Sequence, residues 1–155
     1  MAAPGPFIVP ALAKLNIASA TDILAATAAN FRLALVTSTW VPNDATDELW
    51  AVASANEIAN GNGYTTGGVA PGGITLTQSA SVVTFTSNAI SWTASGTGIP
   101  AWRYGVVYYL GILNGKTNPL LAHFLGDSTP ADVPLTTSGN PLTITPSGVG
   151  IISFT

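Results

Sequence analysis

Residues Ala101 to Leu110, AWRYGVVYYL, constrain the fold more than any other stretch. In an extended chain, successive side chains point to opposite faces. Trp102, Tyr104, Val106 and Tyr108 then share one face, and Arg103, Gly105, Val107 and Tyr109 share the other. Both faces are largely apolar. A strand of that kind is central and covered on both sides.

Shorter segments with the same period surround it. Phe31, Leu33 and Leu35 alternate with Arg32, Ala34 and Val36, and Thr37 to Trp40 extends that strand until Val41-Pro42-Asn43-Asp44 turns it. A further strand is expected from about Leu49 to Ile58, ended by the turn signal Asn60-Gly61-Asn62-Gly63. Gly67-Gly68 and Pro71-Gly72-Gly73 mark a long loop. The clearest hairpin joins Ile74-Leu76-Gln78 to Val83-Phe85 through Ser79-Ala80-Ser81. Ala89–Thr93, Pro119–Leu125, Pro141–Thr145 and Val149–Phe154 complete a series of eight or nine short strands, punctuated by Gly, Pro and Asn. The expected fold is all-β: an antiparallel β-sandwich or jelly-roll-like barrel. Twenty threonines agree with it, because β-branched side chains suit pleated surfaces.

The N-terminal end reads differently. Pro4, Pro6 and Pro10 forbid regular helix in residues 1–13 and favour an extended arm carrying Phe7, Ile8 and Val9. Ala-rich residues 11–29 predict at least one short helix, with Thr21-Asp22 as a possible cap. The expected organisation is an arm, 1–13, and one domain, 14–155. The arm packs either on its own domain or on a neighbour.

Charge excludes several functions. Only eleven of 155 residues are charged: four Lys or Arg against seven Asp or Glu. An average domain carries about 25%. Four scattered basic residues make no phosphate-binding patch, which argues against nucleic acid. Without Cys there is no disulfide framework and no thiolate metal site. A membrane span is not expected, because Ile17–Val36 is interrupted by Asp22, Asn30 and Arg32. No basic n-region precedes the apolar start, so the chain is expected to be made in the cytoplasm and used without export.

Candidate chemistry is sparse. His123 is the only His, set in Leu121-Ala122-His123-Phe124-Leu125 without a G-x-S-x-G elbow. A hydrogen-bonding structural role is expected of it, and no catalytic residue is assigned. Asp44, Asp47 and Glu48 could offer oxygen ligands to Ca²⁺, yet they lack EF-hand spacing and read equally as a cap and solvated turn. No metal and no cofactor are expected. Gly61 to Gly67 lacks the spacing and the Lys of a phosphate loop. Of the four tryptophans, Trp92 and Trp102 lie in strand patterns and are expected in the core. Trp50, beside Asp47-Glu48, is the candidate for an exposed contact.

One order of motifs carries a resemblance. Phe31-Arg32-Leu33-Ala34-Leu35-Val36-Thr37 is followed by Trp40-Val41-Pro42-Asn43, Asp47-Glu48-Leu49-Trp50 and Ala55-Asn56-Glu57-Ile58. Then come Asn62-Gly63-Tyr64-Thr65-Thr66-Gly67-Gly68, Val83-Thr84-Phe85, Ser91-Trp92-Thr93 and Ala101 to Tyr108. Over about residues 30–110 this resembles small virion structural proteins of tailed bacteriophages. The resemblance implies a non-enzymatic component of the particle. The first expectation is a capsid cement or decoration protein on the capsid exterior. Its partners would be the major capsid protein and copies of itself, with a homotrimer favoured. The alternative is a tail, neck or tail-tip component that binds host glycan. The expected contact residues are Phe7, Ile8 and Val9 of the arm, and Trp50.

Overall fold

The computed structural model describes residues 5–13, 30–79, 82–146 and 152–154. It is an all-β fold of antiparallel sheets in which no sheet closes into a barrel among the described residues. The strands are β1 (Phe31–Val36), β2 (Thr75–Ser79), β3 (Val82–Thr86), β4 (Ile90–Thr93) and β5 (Tyr104–Tyr109). They continue with β6 (Ile112–Leu113), β7 (Lys116–Thr117), β8 (Leu120–Leu125), β9 (Pro141–Ile144) and β10 (Ile152–Phe154).

The strand with two apolar faces takes the place its pattern demands. β5 is central in the sheet β1-β5-β8, pairing with β1 from Phe31–Tyr109 to Val36–Tyr104 and with β8 on its other side. Phe31, Leu33 and Leu35 of β1 and Val107 of β5 enter one core. Ala34 and Val36 of β1 and Val106 and Tyr108 of β5 enter a second core on the opposite face. β8 contributes to both through a register shift opposite Val107 and Tyr108. That bulge gives Leu121 and Ala122, neighbours in sequence, to the first core and leaves Leu120 in the second. Trp102 departs from the expected phase. β5 begins only at Tyr104, and Trp102 instead bridges Val133 and joins the first core.

Two further sheets cover the first core. They are ordered β10-β3-β2 and β4-β9, and they bring Phe85, Ile90, Trp92, Leu142 and Ile144 against Leu33, Leu35 and Phe124. The predicted hairpin of residues 74–86 is β2–β3. The second core is roofed by Trp40, Trp50 and a single helical turn, Ala51–Ser54. This corrects the strand expected over 49–58. Only the ends of that segment form bridges, Leu49 with Pro119 and Glu57 with Val36. Its Ala-rich middle closes a helical turn, as alanine favours. One hairpin was not expected from the sequence. β6 and β7 meet at Asn114-Gly115, with φ of 49° and 74°, the left-handed pair that a tight primed turn requires.

Both edges of the β1-β5-β8 sheet are closed. Val69 exchanges backbone hydrogen bonds with Leu33 (2.9 and 3.0 Å), and the Ile58 N–H donates to the Leu35 carbonyl. Gly68, at φ +71°, lets this loop approach so closely that a Cβ would strike the Leu33 carbonyl. On the far edge, Ile8 and His123 exchange bonds of 2.6 and 2.9 Å, and the Gly5 N–H donates to Leu125 at 2.8 Å. Residues 5–10 thus pack on their own domain. The chain turns helical at 11–13; the rest of the expected helix, with Thr21-Asp22, lies outside the described residues, as do Ala80 and Ser81 of the hairpin loop.

Gly105 on β5 faces Phe124 on β8 directly, and the ring lies where a Cβ would stand. Gly105→Ala is therefore expected to push Phe124 off its seat against Phe7 and Trp102. Overpacking of this kind costs about 1–3 kcal/mol, measurable as a lower urea midpoint at unchanged slope.

Candidate interaction surface

The polar side chains nearest the cores are spent on holding loops. Glu57 follows the helical turn and reaches the loop that closes the β1 edge. Its Oε1 accepts the Tyr64 hydroxyl at 2.6 Å and the Gly67 N–H at 2.7 Å. The Tyr64 oxygen in turn accepts the Leu35 N–H at 3.0 Å, and the Tyr108 hydroxyl donates to the Gly67 carbonyl at 2.8 Å. Tyr64 is almost wholly buried. Burial first, and the Glu57 hydrogen bond second, push its phenol far above the ordinary range. Burial and the Glu57 charge raise Tyr108 as well. Neither phenol can serve as a base at neutral pH. The Asn-Glu…Gly-Tyr…Gly-Gly run singled out in the sequence is this clamp.

His123 holds a second junction. Its buried ring places Nε2 2.8 Å from Asp44 Oδ1, with the Trp40 ring edge-on at 5.8 Å. Its backbone pairs with Ile8, and the Asp44 carbonyl accepts the Ala11 N–H at 3.1 Å. One residue pair thus joins β8, the 40s turn and the arm, at Ile8 and Ala11.

The carboxylates considered for Ca²⁺ are drawn to separate partners. Asp44 meets His123, Asp47 Oδ2 accepts the Asn43 N–H at 2.9 Å, and Glu48 meets Lys116 Nζ at 3.0 Å. Among the described residues, no group of three potential ligands converges. The segment is a hydrogen-bonded turn, with the Thr46 and Asp47 N–H groups both donating to the Asn43 carbonyl.

The expected contact residues separate. Phe7 packs on Phe124 at a ring distance of 4.3 Å, and Val9 also lies against the first core. Ile8 keeps 40% exposure. Trp50 corrects the expectation of an exposed ring. It is buried and stacks on Tyr108 at 4.7 Å, with the planes 2° apart. The helical turn after it folds the indole over the second face of β5, where burying so large a ring is more favourable than leaving it in water. Trp92 and Trp102 are core residues, as expected.

The apolar side chains that do meet solvent were not legible as such. Val41 is 72% exposed and Ile112 70%, joined by Val52, Leu110 and Leu135. Val41 follows Trp40 at the turn beside His123, and Ile112 stands on the β6–β7 hairpin. The ion pair Arg103–Asp132, at 2.7 Å, is on the surface, where such pairs contribute about 0–1 kcal/mol.

No family model matches this chain, and no characterised protein or solved structure is significantly similar to it.

The Tyr64 clamp has a pH signature. A phenol that stays protonated in the folded state but ionises near its ordinary value of about 10 when unfolded makes the unfolded state bind fewer protons at high pH. Stability contributed by Tyr64 is therefore full below that value and falls as pH rises above it. Tyr64→Phe is expected to cost about 1–3 kcal/mol at neutral pH, since the Leu35 N–H and Glu57 lose a partner. It is also expected to flatten the alkaline loss of stability, read by chemical denaturation from pH ~8 to ~11.

Proposed function

We propose that this chain is a non-enzymatic structural protein of a tailed-phage particle, a cement protein that decorates the outside of the head. It works through contacts with the major capsid protein and with copies of itself, a trimer being the closed form proposed. One observation carries this reading. A chain with so few charges leaves large apolar side chains in water, Val41 and Ile112 above all. Charge is the usual device for keeping a surface soluble and solitary. A surface that lacks it while presenting apolar side chains is suited to being covered. The motif order over residues 30–110 supplies the phage context.

The competing readings lose support on particular residues. Glycan adhesion would need an exposed Trp or Tyr, and the ring that was its best candidate, Trp50, is stacked inside. A hydrolase would need His123 as its base, and that side chain is only 8% exposed.

The test is attachment to particles that lack this protein. Val41→Glu with Ile112→Glu leaves both cores untouched, so the circular dichroism spectrum is expected to be unchanged. Each apolar side chain buried on assembly contributes about 1.5–3 kcal/mol, so occupancy at limiting protein is expected to fall by tenfold or more. Wild-type occupancy by the double variant, or location of the native protein on the tail alone, overturns the proposal.

A further inference from the structure

The sequence holds three Asn-Gly pairs: Asn60-Gly61, Asn62-Gly63 and Asn114-Gly115. In such a pair the glycine backbone nitrogen can attack Cγ of the asparagine side chain. A five-membered ring results, and no Cβ on the glycine stands in the way. Ring closure rotates the Asn-Gly peptide out of its folded geometry, so the pair that opens most readily reacts first. The fold treats the three pairs differently.

Two of them are pinned. Asn60 Oδ1 accepts the Thr66 N–H at 3.1 Å, and the Gly61 N–H, on the nitrogen that would attack, donates to the Tyr64 carbonyl at 2.8 Å. Asn62-Gly63 forms a tight turn between Gly61 and Tyr64, with φ of 54° and 94°. Asn62 Oδ1 accepts the Thr97 N–H at 3.2 Å, and its backbone carbonyl accepts the Ser95 N–H at 3.0 Å. Gly63 lies so close to the next strand that a Cβ would strike the Thr93 carbonyl.

Asn114-Gly115 has the same left-handed geometry, φ 49° and 74°, in another setting. Both residues are exposed. The ladder behind them is two pairs long, Ile112–Thr117 and Leu113–Lys116, and includes neither. The base of the hairpin is tied, since the Asn118 N–H donates to the Gly111 carbonyl at 2.7 Å and Asn118 Oδ1 accepts the Gly111 N–H at 2.8 Å. Opening is thus confined to the tip, and parting two pairs needs a small share of the free energy of global unfolding.

We propose that Asn114 is a self-modifying site. The Gly115 nitrogen bonds to Asn114 Cγ, the bond from Cγ to the side-chain amide nitrogen breaks, and that nitrogen leaves as ammonia with the proton of the Gly115 N–H. Water then opens the cyclic imide. Cleavage at the side-chain carbonyl gives aspartate, and cleavage at the main-chain carbonyl gives isoaspartate; no electrons are exchanged with another reactant. Either product sets a negative charge two residues from Ile112, the 70% exposed side chain of this hairpin, in a chain with only eleven charged residues. Isoaspartate also adds a carbon to the main chain of the loop, which a two-residue turn does not absorb in register. The tip is a clock on this surface, and it runs in the isolated protein whatever the particle assignment.

The test is peptide mapping by mass spectrometry on the full chain, held folded in mildly alkaline buffer and sampled over time. Asn114 is expected to convert about tenfold or more faster than Asn60 and Asn62, whose opening costs more. In denaturant the three rates are expected to converge, since the dipeptide is the same. Gly115→Ala strains a turn at positive φ and so favours opening, yet its methyl group hinders the attack. A fall in conversion at Asn114 in that variant therefore isolates the chemistry from the turn. Conversion of Asn60 or Asn62 as fast as Asn114 in the folded protein overturns the proposal. So does an intact Asn114 over the time in which the denatured chain converts.

Discussion

The fold depends on the need to bury both faces of one strand. β5 carries Val107 into one core and Val106 and Tyr108 into another. An antiparallel sheet commonly leaves one face in water; this one does not. The sheets β10-β3-β2 and β4-β9 answer one face. The other is covered by the Trp40–Ser54 segment, which has little regular structure beyond one helical turn. That difference sets where the polar network lies. Regular strands satisfy their own backbone, whereas a covering loop brings backbone groups that require partners.

Glu57 and His123 supply those partners. Each anchors a loop that closes an edge of the central sheet, Glu57 at the β1 side and His123 at the β8 side. Each lies between an aromatic residue and a backbone turn. A carboxylate shared by a tyrosine hydroxyl and a backbone N–H, as Glu57 is, makes charge-assisted bonds stronger than neutral ones. Among the described residues, several of the scarce charges thus sit at joints. Asp44, Glu48 and Asp132 are likewise each paired with a cation or an imidazole from a distant part of the chain.

Strand residues were the most legible in the sequence, because their signal is local. Phe31–Val36, the β2–β3 hairpin and the run to Tyr109 were placed by alternation alone. Where two signals competed, the reading failed. Leu49–Ile58 alternates loosely, but its alanines form a helical turn, and that turn carries Trp50 inward onto Tyr108. The fate of Trp50 was decided by a ring 58 positions along the chain, which no local pattern encodes. The Glu57–Tyr64–Gly67 clamp was visible as a motif but not as a set of bonds. The exposure of Val41 and Ile112 was not visible at all, since an apolar residue reads alike in a core and on a surface.

The order of pairing has a consequence during synthesis. Asn30, at the start of β1, bonds Tyr109, and Asp44 bonds His123, each across 79 residues. A chain emerging at about 5–20 residues per second leaves β1 without its partner for several seconds. Through that interval Phe31, Leu33 and Leu35 have no core to enter, and the arm has no β8 to lie on. The β2–β3 hairpin is complete long before the central sheet can form. Folding of this topology is governed by late, distant contacts and is slow for its size. The nascent chain passes through its most adhesive state before the protein it will become exists.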